Sequence, residues 1–283
     1  MQEVVLEPLW VEIISVYEAF RRICEKHKFR FWASFGTALG AVRHKGFIPW
    51  DDDFDVMMPD QDYDAFMKIA PEELPEHLRI INIDNTREFF FSFGKIQDIR
   101  WDVSDRIARE TGHPQNEGIY IDVFPFHGVP SQTIFRKICD AALRCRQSAI
   151  LRSCSSCATD RAKVANLLGK MLGFAMPELR TAREIADFQF RRGRQLSFDE
   201  SEFVGTYNIP HCCNYNIYRR EWFDQTVWLP FENTQVPMPC AYNECLTAAF
   251  GDYMTLPPKE KRCFTHVSCP PAAWKFGPTG EWK

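Results

Sequence analysis

The chain has 283 residues, of which 45% are hydrophobic and 25% charged, with a formal net charge of −4. That length and balance exclude a disordered chain and a disulfide-stapled miniprotein, and suit one large domain or two lobes around a cleft. The mild acidity gives no reason to expect a nucleic-acid partner. With neither a basic leader nor a bilayer-length apolar run, the expectation is a cytoplasmic protein.

Residues 4–27 carry Leu6, Leu9, Ile13, Val16, Tyr17, Phe20, Ile23 and Cys24 at helical spacing, which predicts a helix with one buried face. FRFWASF (29–35) reads as a buried aromatic strand. Gly36-Thr37 ends it, and 37–44 reads as a short helix with Thr37 as N-cap. The loop KGFIPW leads to a strand over 54–58, and Asp60 caps a helix over 61–69. Beyond a Pro-rich turn at 71–75 come strands at 78–83, 89–97 and 118–124, with Phe89, Phe90, Phe91 and Phe93 read as core. From 131 to 195 the pattern is helical and basic, with 13 Lys/Arg against 5 Asp/Glu. The C-terminal third reads as loop, broken by prolines that include Pro230, Pro237 and Pro239. Strands first and helices after predict an α+β or α/β lobe followed by a helical one.

The run PWDDDFDV (49–56) places four aspartates in five positions. In a strand, i and i+2 share a face, so Asp53 and Asp55 project together while Phe54 turns into the core. Paired carboxylates form an oxygen-rich site for a hard divalent cation, Mg²⁺ first. Asp51 and Asp52 would orient waters or the cluster around it. Asp122, between Ile121 and Val123, is the natural third acid, because a carboxylate on a buried strand is expensive unless it is paired or metal-bound. Gly36-Thr37 at a strand-to-helix turn can hold a phosphate, and Arg43, His44 and Lys45 follow with positive charge. An acidic run is more often plain solvated surface. The convergence of the D-x-D, the upstream Gly-Thr and the downstream I-D-V argues for phosphoryl-type transfer instead.

Three blocks, GTALGAVRHKGFIPWDDDFDV, GIYIDVFPF and FGDYMTLPPKEKR, occur in order over residues 36–262. Together they resemble the LicD family of phosphotransferases, whose eukaryotic relatives are fukutin and fukutin-related protein. The resemblance implies an α+β, nucleotidyltransferase-like mixed sheet with flanking helices. It implies a catalytic core at 1–130 and a helical, loop-rich lobe at 131–283 that completes the site and contacts the acceptor. It implies Asp53, Asp55 and Asp122 as catalytic and metal-binding residues for Mg²⁺ or Mn²⁺. Gly36, Thr37, Arg43, His44, Lys45 and Lys95 then serve the donor phosphates. The implied reaction moves a phosphoalcohol, phosphocholine from CDP-choline first, onto a hydroxyl of a cell-surface glycan, teichoic acid or lipopolysaccharide precursor, releasing CMP. The alternatives are an NTP-dependent nucleotidyltransferase and a catalytically silent binding protein of the same fold. The chain departs from the family pattern at Phe35, where a small residue is usual, and at Trp101, where Thr is usual.

Trp32, Trp50, Trp101 and Tyr120 are candidates for a choline-holding aromatic cage, with plain core packing as the commoner role. Among 11 cysteines, Cys154, Cys157, Cys212 and Cys213 form a candidate structural zinc set. Free thiols are the preferred reading, because adjacent cysteines are awkward ligands for one ion. Lys261, Arg262 and His266 are further candidates for phosphate contact. The basic segment 131–195 is a candidate for peripheral contact with a membrane surface or a lipid-linked acceptor.

Overall fold

The computed structural model describes residues 6–87, 89–102, 118–129, 181–206, 217–262, 275–276 and 280–281. Most of the basic segment, the four zinc-candidate cysteines and His266 lie outside the described residues.

The first helix, α1 (Glu7–His27), buries the apolar face its spacing announces. Pro8 sits in its first turn, where a missing N–H costs nothing, and Lys28 closes it in the left-handed conformation at φ 59°. The expected strand at 29–35 shrinks to β1 (Trp32–Ala33), and α2 (Phe35–Arg43) starts two residues earlier than its expected cap. The acidic run leads into β2 (Asp55–Pro59), followed by α3 (Asp60–Glu73). Helix α3 runs through Pro71 to Glu73, past its expected end, while Asp60 Oδ1 accepts from Gln61 N at its start.

Next come β3 (Leu78–Ile81), β4 (Gly94–Asp98), the short β5 (Trp101–Asp102) and the ten-residue β6 (Ile119–Gly128). The expected strand at 89–97 keeps only its second half. Phe89, Phe90, Phe91 and Phe93 are buried as expected, but they precede β4 as an irregular aromatic segment. Further on are α4 (Ala182–Gly193), β7 (Phe203–Gly205), β8 (Ile217–Arg219), β9 (Thr226–Phe231), β10 (Thr234–Pro239) and α5 (Tyr242–Phe250). The pairs β11 (Lys275–Phe276) and β12 (Gly280–Glu281) join β5.

The main sheet has the order β1-β2-β6-β4-β3, with β7 and β8 continuing from β6. It is mixed: β2 and β6 are parallel, and the other pairs are antiparallel. Strand β6 is the hub. Its first half pairs β4, its middle pairs β2, and its end pairs β7. The fold is therefore α+β, a mixed sheet with flanking helices, as expected for a nucleotidyltransferase-like domain.

Phe54 anchors this sheet to the rest of the core. Its ring is fully buried against Tyr17 at 4.7 Å, Phe231 at 5.4 Å and Phe47 at 6.0 Å between centroids. Phe231 belongs to the β9–β10 hairpin, which the sequence reading missed because its prolines looked like breakers. Pro230, Pro237 and Pro239 are tolerated because both strands of a two-stranded ribbon are edges. The hairpin tip is held by Glu232, whose N donates to Lys45 O and whose Oε1 accepts from Phe47 N. Elsewhere, Arg183 of α4 donates to the carbonyls of Ile83, Thr86, Arg87 and Phe89.

His127, near the end of β6, is buried beneath α4; a Cβ on Gly193 would lie 2.4 Å from its Nε2. Burial, then the charge of Arg194, pushes its imidazole from 6.5 down to about 3. Above about pH 6.5 the ring is neutral in both folded and unfolded chains. Below that, the unfolded chain takes up a proton that the folded one refuses until about pH 3. Stability should therefore fall with acidification through this window, by up to about 1.4 kcal/mol per pH unit from this one group. Urea denaturation of wild type and His127→Leu between pH 7 and 4 checks it. The variant is expected to show the shallower acid limb.

Candidate active site

Strand register builds the site. Asp55 of β2 stands opposite Asp122 of β6, and Asp122 stands opposite Lys95 of β4. Neighbouring strands lie about 4.8 Å apart, so the three side chains form one row across the sheet. Alternation puts Tyr120, Asp122 and Phe124 on the same face as Asp55 and Met57, and turns Phe54, Val56 and Val123 to the opposite, fully buried one. Asp53 precedes β2 by two residues rather than lying within it, and it is buried, at 8% exposure.

The row carries its own cation. Lys95 Nζ donates to Asp122 Oδ1 at 2.6 Å, and Lys95 is only 3% exposed. The ammonium also sits over Tyr120 at 3.7 Å from the ring centroid, with Phe93 at 5.4 Å and Phe91 at 5.7 Å. These cation–π contacts help hold a charge that burial would otherwise disfavour.

The Gly-Thr turn is joined to the row through the backbone. Thr37 is not the N-cap expected for it. Ser34 takes that position, and the Thr37 hydroxyl instead accepts from Asp55 N at 2.8 Å. Ser34 N donates to Asp55 O at 3.0 Å. The first turn of α2 therefore clamps Asp55 from both sides of its peptide. Gly36 permits a second approach: a Cβ there would lie 2.5 Å from Asp51 Oδ2.

Arg43, His44 and Lys45 fall at the far end of α2, about 9 Å along its axis from Thr37. There they meet the C-terminal block. Arg43 Nη1 donates to Tyr253 O at 2.9 Å, and Arg262 Cζ lies 5.3 Å from the Trp50 ring centroid. Burial and the nearby Arg262 charge push the Arg43 guanidinium below its ordinary value, while Asp51 opposes this. His44 is likewise pushed down, by burial and by Arg43. Arg262 thus stands close to Arg43; the side chain of Lys261 lies outside the described residues.

The four cage candidates have separate roles. Trp32 is core, with its Nε1 donating to Thr226 Oγ1, and Trp101 is also buried. Trp50 packs against His44 and Arg262. Tyr120 holds Lys95. Sequence reasoning missed that last contact, although the i, i+2 spacing of Tyr120 and Asp122 was its visible signal.

Among the described residues, no group of three or more His, Cys, Asp or Glu side chains sits close enough to hold a divalent ion. Asp55 and Asp122 are nevertheless hard oxygen donors on adjoining strands. Mg²⁺ is commonly held by one or two carboxylates, with substrate phosphates and water completing its shell. A two-carboxylate site of that kind fits the residues present.

A mixed sheet with an acid row on one face, clamped by a Gly-Thr helix turn, defines a nucleotidyltransferase-type domain. Residues 28–144 match the family described as LicD/FKTN/FKRP, nucleotidyltransferase domain. The chain is also 27% identical over 275 residues to Lipopolysaccharide cholinephosphotransferase LicD of Haemophilus influenzae, spanning 94% of this chain and 98% of that one. Over 62 residues it is 37% and 36% identical to uncharacterized proteins of Rickettsia typhi and Rickettsia prowazekii, covering 21% of this chain and 20% and 23% of theirs. Residues 28–144 thus carry a nucleotidyltransferase domain of the LicD/FKTN/FKRP type.

Removing the ammonium from the row leaves Asp122 buried without its Lys95 partner. Lys95→Met is expected to destabilise the fold by about 3 kcal/mol, and Lys95→Met with Asp122→Leu to recover most of that loss. Urea unfolding of the two variants measures both.

Proposed function

We propose that this protein is a phosphotransferase that moves a phosphoalcohol from a CDP-alcohol onto a hydroxyl of a cell-surface glycan or lipid-linked glycan precursor, with phosphocholine from CDP-choline as the first candidate. The observation that carries the reading is the Asp55–Asp122–Lys95 row clamped by Thr37, in a chain that aligns nearly end to end with a cholinephosphotransferase.

In this reading Asp55 and Asp122, with Asp53 beside them, hold Mg²⁺ or Mn²⁺. The ion would neutralise diphosphate charge and polarise the phosphorus. The first turn of α2 presents Gly36 and Thr37 N–H groups toward the donor phosphates. Asp122 or Asp53 accepts the proton of the attacking hydroxyl. A new P–O bond forms to the acceptor as the bond to the CMP oxygen breaks, so the phosphoalcohol is transferred and CMP leaves. Arg43, Lys45 and Lys95 balance the charge on the leaving phosphate. Catalysis of this kind is mostly positioning and electrostatics, which suits side chains fixed by strand register. The N-terminal core and the C-terminal elements meet in this scheme: residues 1–130 supply the acids, and residues 131–283 supply Arg262 and the acceptor side. Among the described residues no helix is long and apolar enough to cross a membrane.

Incubation of the purified protein with CDP-choline, CDP-glycerol, CDP-ribitol or CTP, with a glycan acceptor and with Mg²⁺ or EDTA, tests the reading. CMP release from a CDP-alcohol, abolished by EDTA, is the expected result; diphosphate release from CTP would instead make it a nucleotidyltransferase. Asp53→Asn should lower turnover by about 10²–10⁴-fold while leaving the circular dichroism spectrum unchanged.

A further inference from the structure

Beside the acid row lies a solvent-open cleft, with about 390 Å³ of space between its walls and at its mouth. Its floor is the first turn of α2 and Met57, two residues beyond Asp55 on the same strand face. Its far wall comes from the C-terminal part of the chain, through Tyr218, Met238, Leu246 and Ala249. No lining residue is charged. Even the Cys245 thiol is pushed up to about 12 by burial, so it is a neutral wall at ordinary pH. A diphosphate or a free carboxylate would therefore find no counter-charge here.

Two features at the α2 end do not serve the fold. Ser34 is 3% exposed, and its hydroxyl has no hydrogen-bond partner among the described residues. It occupies the N-cap position without capping. A buried hydroxyl left unpaired costs about 1–3 kcal/mol. Next to it, Phe35 holds φ at 43°, a left-handed conformation that aromatic residues rarely adopt. Such strain costs about 1–3 kcal/mol and concentrates at ligand sites. Its effect here is to place the Phe35 ring on the cleft, edge-on to Phe124 with centroids 5.1 Å apart. Phe124 lies two residues beyond Asp122.

We infer that this cleft is the subsite for the nucleobase of the donor, stacked on Phe35 and hydrogen-bonded at its polar edge by Ser34 Oγ. The inference rests on the CDP-alcohol reading above and deepens it. A nucleobase is flat, neutral and apolar on its faces, with hydrogen-bonding groups only at its rim. That matches an uncharged cleft whose side-chain hydroxyls come from Ser34, Thr206 and Tyr218. A trimethylammonium group or an alkyl chain has nothing to offer Ser34. Ser34 and Ala38 flank Gly36-Thr37 within one helical turn, so a base in the cleft leaves its phosphates at the α2 N-terminus beside Asp55. Phe35 becomes the specificity-determining platform.

Calorimetric titration of the full chain with CMP in the presence of Mg²⁺ tests this, with inorganic diphosphate as the phosphate-only control. Ser34→Ala is expected to weaken CMP by about 3- to 10-fold, to leave diphosphate binding unchanged, and to keep or raise the melting temperature of the free protein. A merely structural serine would lower melting temperature and affinity together. Ala249→Trp, at a half-buried position on the wall, fills the cleft and is expected to weaken CMP by on the order of tenfold or more with diphosphate unaffected. Unchanged CMP affinity in both variants overturns the inference, as does failure of every nucleoside monophosphate to bind while CMP is still released from CDP-choline. Binding of AMP or UMP in place of CMP, with the same dependence on Ser34 and Ala249, would keep the base subsite and remove the CDP-alcohol reading.

Discussion

A buried ammonium and a buried carboxylate 2.6 Å apart constrain everything around them. Lys95 and Asp122 come from antiparallel strands, and Asp122 faces Asp55 across a parallel one. A slip of one residue in either pairing would turn a charged side chain toward the fully buried face that holds Phe54, Val56 and Val123. The pair thus acts as a register lock. The hydrophobic face sets which residues point inward, and the charges make the wrong alternative costly. The same lock sets Asp55 and Asp122 side by side on one face of the sheet.

Around that row, two parts of the chain distant in sequence supply support. The first turn of α2 grips the Asp55 peptide through Thr37 and Ser34. The β9–β10 hairpin reaches back so that Phe231 packs on Phe54, while Glu232 ties down the loop that carries Lys45 and Phe47. The acidic run is therefore held at both ends and from beneath. Carboxylates that must stay buried and close need such a rigid surround, since a mobile backbone would let them turn out to water. The cleft beside them is walled by β10 of that hairpin together with β8 and α5.

Long, strongly periodic segments were legible from the residues alone. The buried face of α1 is the one its spacing announces, and the central strand bearing Asp122 appears where alternation placed it. Errors gathered where local signals compete. Thr37 resembled an N-cap because threonine is a good one, but its hydroxyl is taken by a strand backbone 18 positions away. Pro71 looked like a helix end, yet α3 runs through it to Glu73. Pro230, Pro237 and Pro239 hid a hairpin because the sequence does not say which strand edges stay unpaired. Four aromatics near the motifs suggested one cage, and packing distributed them among the core, Arg262 and Lys95.

By itself the sequence showed where closely spaced acids, a Gly-Thr turn and a third acid on an apolar strand lie, because these can be read from residue type and spacing. It also carried the likeness to the LicD nucleotidyltransferase domain, because its motifs occur in order. Only the tertiary structure decided which charges meet. That Lys95 neutralises Asp122, that Arg43 stands with Arg262 at the far end of α2, and that Ser34 and Phe35 open onto an uncharged cleft all depend on contacts between residues 27 to more than 200 positions apart. Local propensity carries no information about such pairs. They are selected when the whole sheet closes and each buried charge must find its partner.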